Sequence, residues 1–400
     1  MKSRFANAVR VGLIGCGKIA DVGHLPALAN SQRAYLVALA DPNEVALAKA
    51  RYKFKVPFIY KDPMDLIHSG HIDAVVIASP NWAHSEQTVA ACQAGLHVLV
   101  EKPMAVTRAD CLRMISESEK ASVILQVGLQ KRFHWGFQVL KELIADGAIG
   151  VPFQFSVTWN HFIPDLNTPF IKKAISFAKN IGFDIMAKYG GWRLIDPRSG
   201  GGDLMDHGPH YFDLFRFILG EPSILTAEVR RIFPSRIHED HGIITINFNS
   251  GAIALLERSQ NYFSNPYGRE RGYVHGTSGR LYFRVPHEYT LRSVKLYKYG
   301  YSNILLGFGR RIRFPGGFQH NSYVRQMEVF LARIRGEHSP IEGFPIEWAP
   351  GPYDGIKALE MVFASYCSSH TGQKVKLPFV EDFRTDNTEL FPVAQTQAQT

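Results

Sequence analysis

The sequence predicts a two-domain protein: an α/β domain first, then an α+β domain built around an antiparallel or mixed sheet. Three observations carry this. The first 130 residues alternate short apolar strands with helical stretches, which implies a parallel sheet covered on both faces. From about Ile224 onward successive strands are separated by turn signals rather than helices. The 400 residues also exceed the usual size of a single compact core.

In the first part, Val9 to Ile14 reads as a buried strand, and Tyr35 to Ala40, Ala74 to Ala78, His97 to Val100 and Val123 to Val127 share its style. Helical spacing fills the gaps, as in Glu44 to Lys53, Ser85 to Ala94 and Arg108 to Lys120. The pattern changes after about Arg132. A helix is predicted from Trp135 to Ala145 and a strand from Phe153 to Trp159. Asn160 to Gly191 is long, mixed and poorly periodic. A helix with a glycine-rich entry follows, Asp203 to Leu219, although Pro209 is awkward inside a helix and offers an alternative first turn. Strands are then expected at Leu225 to Ile232, Gly242 to Asn249, Ala252 to Ser259, Gly272 to Gly276 and Arg280 to Arg284. Helices return at Ser322 to Arg335 and Pro352 to Ser368, and the end of the chain becomes a polar tail.

Hydrophobic residues make up 46% and charged residues 20%, ordinary values for a water-soluble globular chain. No apolar run approaches 18 residues, so no membrane span is expected. The start of the chain lacks the apolar core of a signal peptide. The four cysteines, Cys16, Cys92, Cys111 and Cys367, are scattered without a C-x-x-C pair. That disfavours a disulfide framework or a cysteine-rich zinc site and fits a reducing cytoplasm. The net charge of +9 is concentrated at Arg230-Arg231, Arg269 to Arg271 and Arg310 to Arg313. No nucleic-acid-binding motif accompanies it, so no nucleic-acid partner is expected. Solvated surface charge or attraction of an anionic substrate remain as readings.

Gly15-Cys16-Gly17-Lys18-Ile19-Ala20 is a G-x-G-x-x-A run that follows a strand and opens a helix. Gly15 suits the tight turn, Gly17 lets backbone approach a pyrophosphate, and Lys18 and Ile19 begin a helix whose N-terminus attracts phosphate. Asp41 ends the second strand, where a carboxylate can bind a ribose 2′-hydroxyl and repel a 2′-phosphate, favouring NAD over NADP. Asp41-Pro42-Asn43 is equally good turn chemistry. Ser79 and Asn81, in Ser79-Pro80-Asn81, lie at a strand's carboxyl end and are placed at the cofactor. His84 is either a further cofactor contact or the start of the next helix.

Glu101-Lys102-Pro103 also follows a strand directly. Glu101 could accept hydrogen bonds from a nicotinamide ribose, Lys102 could polarise a reacting oxygen, and Pro103 could hold the turn. A plain surface loop is the alternative. Ser199 to His210 supplies what a lysine lacks. Asp206 and His210 are four apart and share one face of a helix. Oxidation of an alcohol needs a proton acceptor, and histidine titrates near neutrality. His210 is therefore the candidate general base, with Asp206 orienting it or sharing substrate contact. A metal site formed with His207 and a structural hydrogen-bond cluster are the competing readings; no further metal ligands are evident, and no metal is expected.

These pieces together resemble the glucose–fructose oxidoreductase / inositol dehydrogenase family, written Gfo/Idh/MocA. The resemblance is carried by the glycine loop, Ser79-Pro80-Asn81, Glu101-Lys102-Pro103, Trp192-Arg193, Gly200 to His210 with Asp213, and the run from Asp354-Gly355 to Pro378. It implies a Rossmann domain at 1–131, a substrate-binding and oligomerisation domain with a large, mostly antiparallel open sheet at 132–380, and a tail at 381–400. The last long helix could pack back towards the first domain. The resemblance further implies NAD-dependent chemistry on a hydroxyl of a sugar, cyclitol or related polyol, and assembly as a homodimer or homotetramer. Lys102, Asp206 and His210 carry over as catalytic residues, with Arg132, Trp192 and Arg193 as further substrate contacts. Redox-assisted epimerisation, elimination or glycoside cleavage with retained NAD, or NAD binding without catalysis, stand as alternatives. Gln130-Lys131-Arg132 departs from the commoner Asn-Arg-Arg run, and the segment 160–191 is longer than usual. That segment is expected to form a substrate lid or an oligomer contact.

Overall fold

The computed structural model describes residues 8–165, 168–180, 192–261, 269–285, 288–293, 310–313 and 321–383. Residues 181–191, the last part of the 160–191 segment expected to form a lid or oligomer contact, and the end of the tail lie outside them. The chain divides into two compact units. The first comprises 1–134 and 316–359, the second 135–315 and 360–400.

The first unit is built on a six-stranded parallel sheet in the order β3-β2-β1-β4-β5-β6. Its strands are β1 (Val9–Ile14), β2 (Ala34–Ala40), β3 (Phe58–Tyr60), β4 (Ala74–Ile77), β5 (His97–Val100) and β6 (Leu125–Val127). Order 3-2-1-4-5-6 is that of a doubly wound dinucleotide-binding sheet, with its switch point between β1 and β4. From Val11 to Ile14, Ala74 to Ile77 and Val98 to Val100 the central strands are continuous apolar runs because both faces are covered. The helices include α1 (Leu25–Asn30), α2 (Glu44–Phe54), α3 (Pro63–Ile67), α4 (His84–Gln93) and α5 (Arg108–Lys120). Short β3 and α3 were not foreseen, because three residues with exposed Phe58 and Ile59 carry too little pattern.

The sequence-derived boundary at 131/132 needs one correction. The segment 316–359 belongs with the first unit. Met327, Phe330 and Leu331 join the same core as Val9, Leu13 and Ala20. Arg33 also pairs with Glu328 at 2.7 Å and Glu337 at 2.9 Å. Apolar burial therefore assigns this late helix to the early domain, against chain order.

The second unit holds a nine-stranded sheet in the order β14-β13-β12-β11-β7-β10-β9-β8-β15. The strands are β7 (Pro152–Asn160), β8 (Pro222–Arg230), β9 (His241–Phe248), β10 (Ile253–Ser259), β11 (Arg269–Gly276), β12 (Gly279–Val285), β13 (Glu288–Ser293), β14 (Arg310–Arg313) and β15 (Val375–Lys376). Among the described residues only the β7–β10 pair of this sheet is parallel. The helices are α6 (Trp135–Ala145), α7 (Pro169–Asn180), α8 (Trp192–Ile195), α9 (Asp203–Leu219), α10 (Ser322–Ile334, in the first unit) and α11 (Pro352–Thr371). The division between the units falls inside α11. Helix α9 packs on β9 and β10, and its Phe215 meets Phe155 of β7 edge to face at 4.8 Å.

Candidate active site

In the first unit, Gly15 takes φ +91°, and a Cβ there would lie 2.6 Å from the Ala78 carbonyl oxygen. Only glycine fits between β1 and β4 at the switch point. Gly17 is exposed and a Cβ on it would meet nothing within 4 Å. That open cradle fits close approach of a dinucleotide phosphate, with exposed Lys18 and half-buried Ile19 at the helix start. Ala20 is fully buried, as close helix–sheet packing requires. Asp41 reaches back across the loop. Its Oδ2 accepts from the Cys16 N–H at 2.6 Å and its Oδ1 from the Asn43 N–H at 2.7 Å. The turn role of Asp41 is thus real, and it also fixes the carboxylate beside the glycine loop.

The next two loops are tied together by His84. This residue begins α4, is fully buried, and places Nδ1 2.9 Å from the Pro103 carbonyl and Nε2 2.9 Å from the Ser79 carbonyl. Both ring nitrogens therefore face backbone, and His84 braces the loops after β4 and β5. Ser79 donates to Gln87 at 2.6 Å, and Asn81 is buried. Glu101 is buried, with Oε1 2.8 Å from His24 Nε2 and Oε2 accepting from the Lys102 backbone N–H at 3.1 Å. Lys102 itself is half-buried and joined to Pro103 by a cis peptide. Arg132 lies buried in the short turn Gln130–Phe133. Its guanidinium pairs with Asp354 at 2.7 Å and donates to the Trp348 carbonyl at 3.3 Å.

In the second unit, α9 begins at Asp203 and Pro209 lies within it, so the alternative start at Pro209 is corrected. The reason is external support for its first amides. Glu239, in the loop between β8 and β9, accepts from the Gly202 N–H at 2.8 Å and the Leu204 N–H at 2.9 Å, while its carbonyl accepts from the Asp203 N–H at 3.1 Å. The glycines make room for this. A Cβ on Gly202 would stand 2.1 Å from the Glu239 carbonyl oxygen, and one on Gly201 2.4 Å from the Tyr366 hydroxyl.

Asp206 and His210 follow on one face of α9. Asp206 Oδ1 lies 3.2 Å from Arg193 Nε, and the Arg193 guanidinium stacks over Trp192 at 4.2 Å. His210 is buried. Between them, His207 sits with Nε2 3.5 Å from Asp206 and Nδ1 3.0 Å from Asp203. Asp203 in turn accepts from Arg258 at 2.8 Å and Gln260 at 2.7 Å. Burial pushes the Asp203 carboxyl up, but Arg258 and His207 outweigh it and hold it down at about 2. Burial lowers His207, and lowers His161, beside Arg258, to about 3. Arg258 stacks on Trp159 at 4.2 Å. Among the described residues no group of three or more His, Cys, Asp or Glu is arranged to hold a metal ion.

Sequence reasoning missed Asp203, Arg258, Glu239 and His24. Asp203 precedes His207 by four residues, which was a usable signal. The others come from distant loops and strands and left none.

Comparison with known proteins covers segments of both units. Residues 9–129 match the model described as "Oxidoreductase family, NAD-binding Rossmann fold", and residues 137–282 match the GFO/IDH/MocA C-terminal domain. The chain belongs to the Gfo/Idh/MocA oxidoreductase family, and the resemblance read from its motifs is borne out. It is an NAD-binding oxidoreductase. Among its relatives is myo-inositol 2-dehydrogenase of Thermotoga maritima, 29% identical over 92% of this chain and 98% of that protein. D-glucoside 3-dehydrogenase of Escherichia coli is 25% identical over 94% of this chain and 100% of that protein. The crystal structure of a probable dehydrogenase from Thermotoga maritima, 28% identical, superposes with a TM-score of 0.70 over 93% of this chain and 100% of that one. Among the described residues no helix is long and apolar enough to cross a membrane.

Proposed function

We propose that the protein is a dehydrogenase that interconverts a ring hydroxyl and a ketone of a sugar or cyclitol, with NAD as hydride carrier. The observation that carries this reading is the placement of Asp206 and His210 on one face of α9, with the entry to that helix held by buried groups. NAD supplies the hydride acceptor; the rest of the chemistry falls to side chains. Lys102 donates to the reacting oxygen and stabilises the negative charge that grows there. His210 accepts the hydroxyl proton as the C–H hydride departs, and returns it in the reverse direction. Asp206, with Arg193 and Trp192, orients the substrate. Gly15, Gly17, Lys18, Ile19, Asp41, Ser79 and Asn81 bind the cofactor, while His84 and Glu101 hold the loops that do so.

The names of the relatives, an inositol and a glucoside dehydrogenase, support a polyol ring as substrate. Assembly as a homodimer or homotetramer is proposed through the sheet face opposite α9, where Ile243 and Ile253 are exposed. A reducing cytoplasm suits the four free cysteines.

The test is an absorbance screen for NADH over cyclitols, hexoses, glucosides and sugar acids, with NAD and NADP side by side. Stoichiometric NADH with a cyclitol or sugar is expected. Altered sugar without net NADH would replace this reading with redox-assisted elimination or epimerisation. NAD binding without turnover of any compound would leave a non-catalytic protein. Lys102→Ala should abolish turnover and leave NAD affinity unchanged; equal loss of both would count against its role.

A further inference from the structure

The helix that carries Asp206 and His210 does not supply its own cap. Gly202 stands at its start, and a glycine has no side chain to accept from the first amides. Those amides are met instead by one residue from a remote loop. Glu239 accepts three of them, from Gly202 and Leu204 on its carboxyl and from Asp203 on its carbonyl. Its Oε1 also accepts from the Tyr366 hydroxyl at 2.8 Å. Both side chains are buried, Glu239 at 2% exposure and Tyr366 at 0%.

The loop that delivers Glu239 is itself held. Asp240 accepts from the Ile232 and Phe233 N–H groups at 2.7 and 3.0 Å and pairs with buried Arg236 at 2.9 Å. Ser199 adds a contact from its hydroxyl to His238 at 3.0 Å. Gly201 and Gly202 fit the arrangement because no Cβ could stand against Tyr366 and Glu239. The position of the first turn of α9 is thus decided by Glu239 and Tyr366, and Asp206 and His210 stand one and two turns further on.

We propose that Glu239, seated on Tyr366, is a positioning residue for the reaction: it sets where α9 begins and so where Asp206 and His210 present their side chains. This rests on the reading of His210 as the proton acceptor. A small displacement of such a group costs turnover steeply, because proton transfer needs hydrogen-bond reach. Neither Glu239 nor Tyr366 belongs to the unit that carries the glycine loop, so NAD affinity should be indifferent to both.

The test uses the full-length enzyme and the polyol that gives the highest turnover in the screen above. Glu239→Gln keeps the shape but turns an amide NH2 towards one of the donors; Tyr366→Phe removes a single hydroxyl. Glu239→Gln should lower kcat about tenfold and Tyr366→Phe about threefold, with the KM for NAD unchanged. Each should also move the ring titration of His210, followed by NMR in the substrate-free enzyme, by about 0.5 pH. In a His210→Ala background, Glu239→Gln should cost little further turnover, since both act through one group. If Glu239→Gln fails to fold, Tyr366→Phe carries the test. Lower melting temperatures with unchanged kcat and unchanged His210 titration would overturn the proposal and leave the role of His210 intact. If instead His210→Ala turns over like the wild type, the reading of His210 fails and this proposal with it.

Discussion

His24 Nε2 lies 2.8 Å from Glu101 Oε1, with the His24 side chain fully buried and that of Glu101 9% exposed. The carboxylate next to Lys102 is therefore anchored to the helical segment that follows the glycine loop. The ring of Tyr323 on α10 packs edge-on against His24 at 5.3 Å. One contact thus joins the nucleotide loop to the lysine loop, which explains how two distant motifs hold a common geometry.

Replacing His24 with Phe keeps most of the ring volume and removes the partner of Glu101. Burial pushes the Glu101 carboxyl up, but the His24 hydrogen bond and the neighbouring Lys102 outweigh it and hold it below the usual carboxylate range. A depressed carboxylate stabilises the fold above its unfolded value and loses that contribution as pH falls through its folded value. His24→Phe should cost about 2 kcal/mol at pH 7. Urea titrations should show the gap from wild type narrowing in acid. An equal gap at pH 7 and pH 3 would refute the linkage.

Two glycines should respond oppositely to alanine. Gly17 faces open space, so Gly17→Ala should leave the melting temperature within a degree or two and weaken NAD binding at least tenfold. Gly202 faces the Glu239 backbone, which cannot yield, so Gly202→Ala should cost about 3 kcal/mol of stability. Calorimetry and NAD titration separate the two effects.

Asp41 holds the glycine loop and is proposed to bind the cofactor's ribose, so Asp41→Ser should show two consequences. Loss of the carboxylate acceptor for the Cys16 and Asn43 amides should lower stability by about 1 kcal/mol. Removal of the negative charge should also raise the kcat/KM ratio for NADP over NAD about tenfold or more. An unchanged cofactor ratio would show that Asp41 acts only as a turn residue.

Glu239 gives stability an opposite pH dependence from that of Glu101. Burial pushes its carboxyl up to about 7, even though Tyr366 and the α9 amides favour the ionised form. A raised value means the fold holds the proton more tightly than the unfolded chain does. That contribution is present in full below about 4.5 and is lost as pH rises through about 7, a change of about 3 kcal/mol. Chemical denaturation from pH 5 to 8.5 should show this decline in the wild type, and Glu239→Gln should flatten it. An identical slope in both proteins would sink the assignment.

The parallel sheet was legible because strands buried on both faces leave unbroken apolar runs, as Val11 to Ile14 and Ala74–Ile77 do. The glycine loop and Asp206-x-x-x-His210 were legible because turn geometry and helical periodicity act over a few residues. The ownership of α10 was not legible. Its apolar face declares that it is buried, but not against which sheet. Arg132 is instructive in another way: the motif resemblance suggested a substrate contact, while the structure shows its guanidinium engaged by Asp354 and the Trp348 carbonyl.

What the sequence determined by itself is the local chemistry: a phosphate cradle, a strand-end lysine, and a carboxylate and imidazole on one helical face. These depend on spacing, and spacing is written in the chain. What only the tertiary structure decided is how those groups are held. His24 under Glu101, His84 between two loops, and Glu239 on Tyr366 beneath α9 are pairings across 77, 19 and 127 positions of sequence. Buried polar groups must find partners, but the linear order does not say which, because that choice is made when apolar surfaces pack and bring distant backbone together.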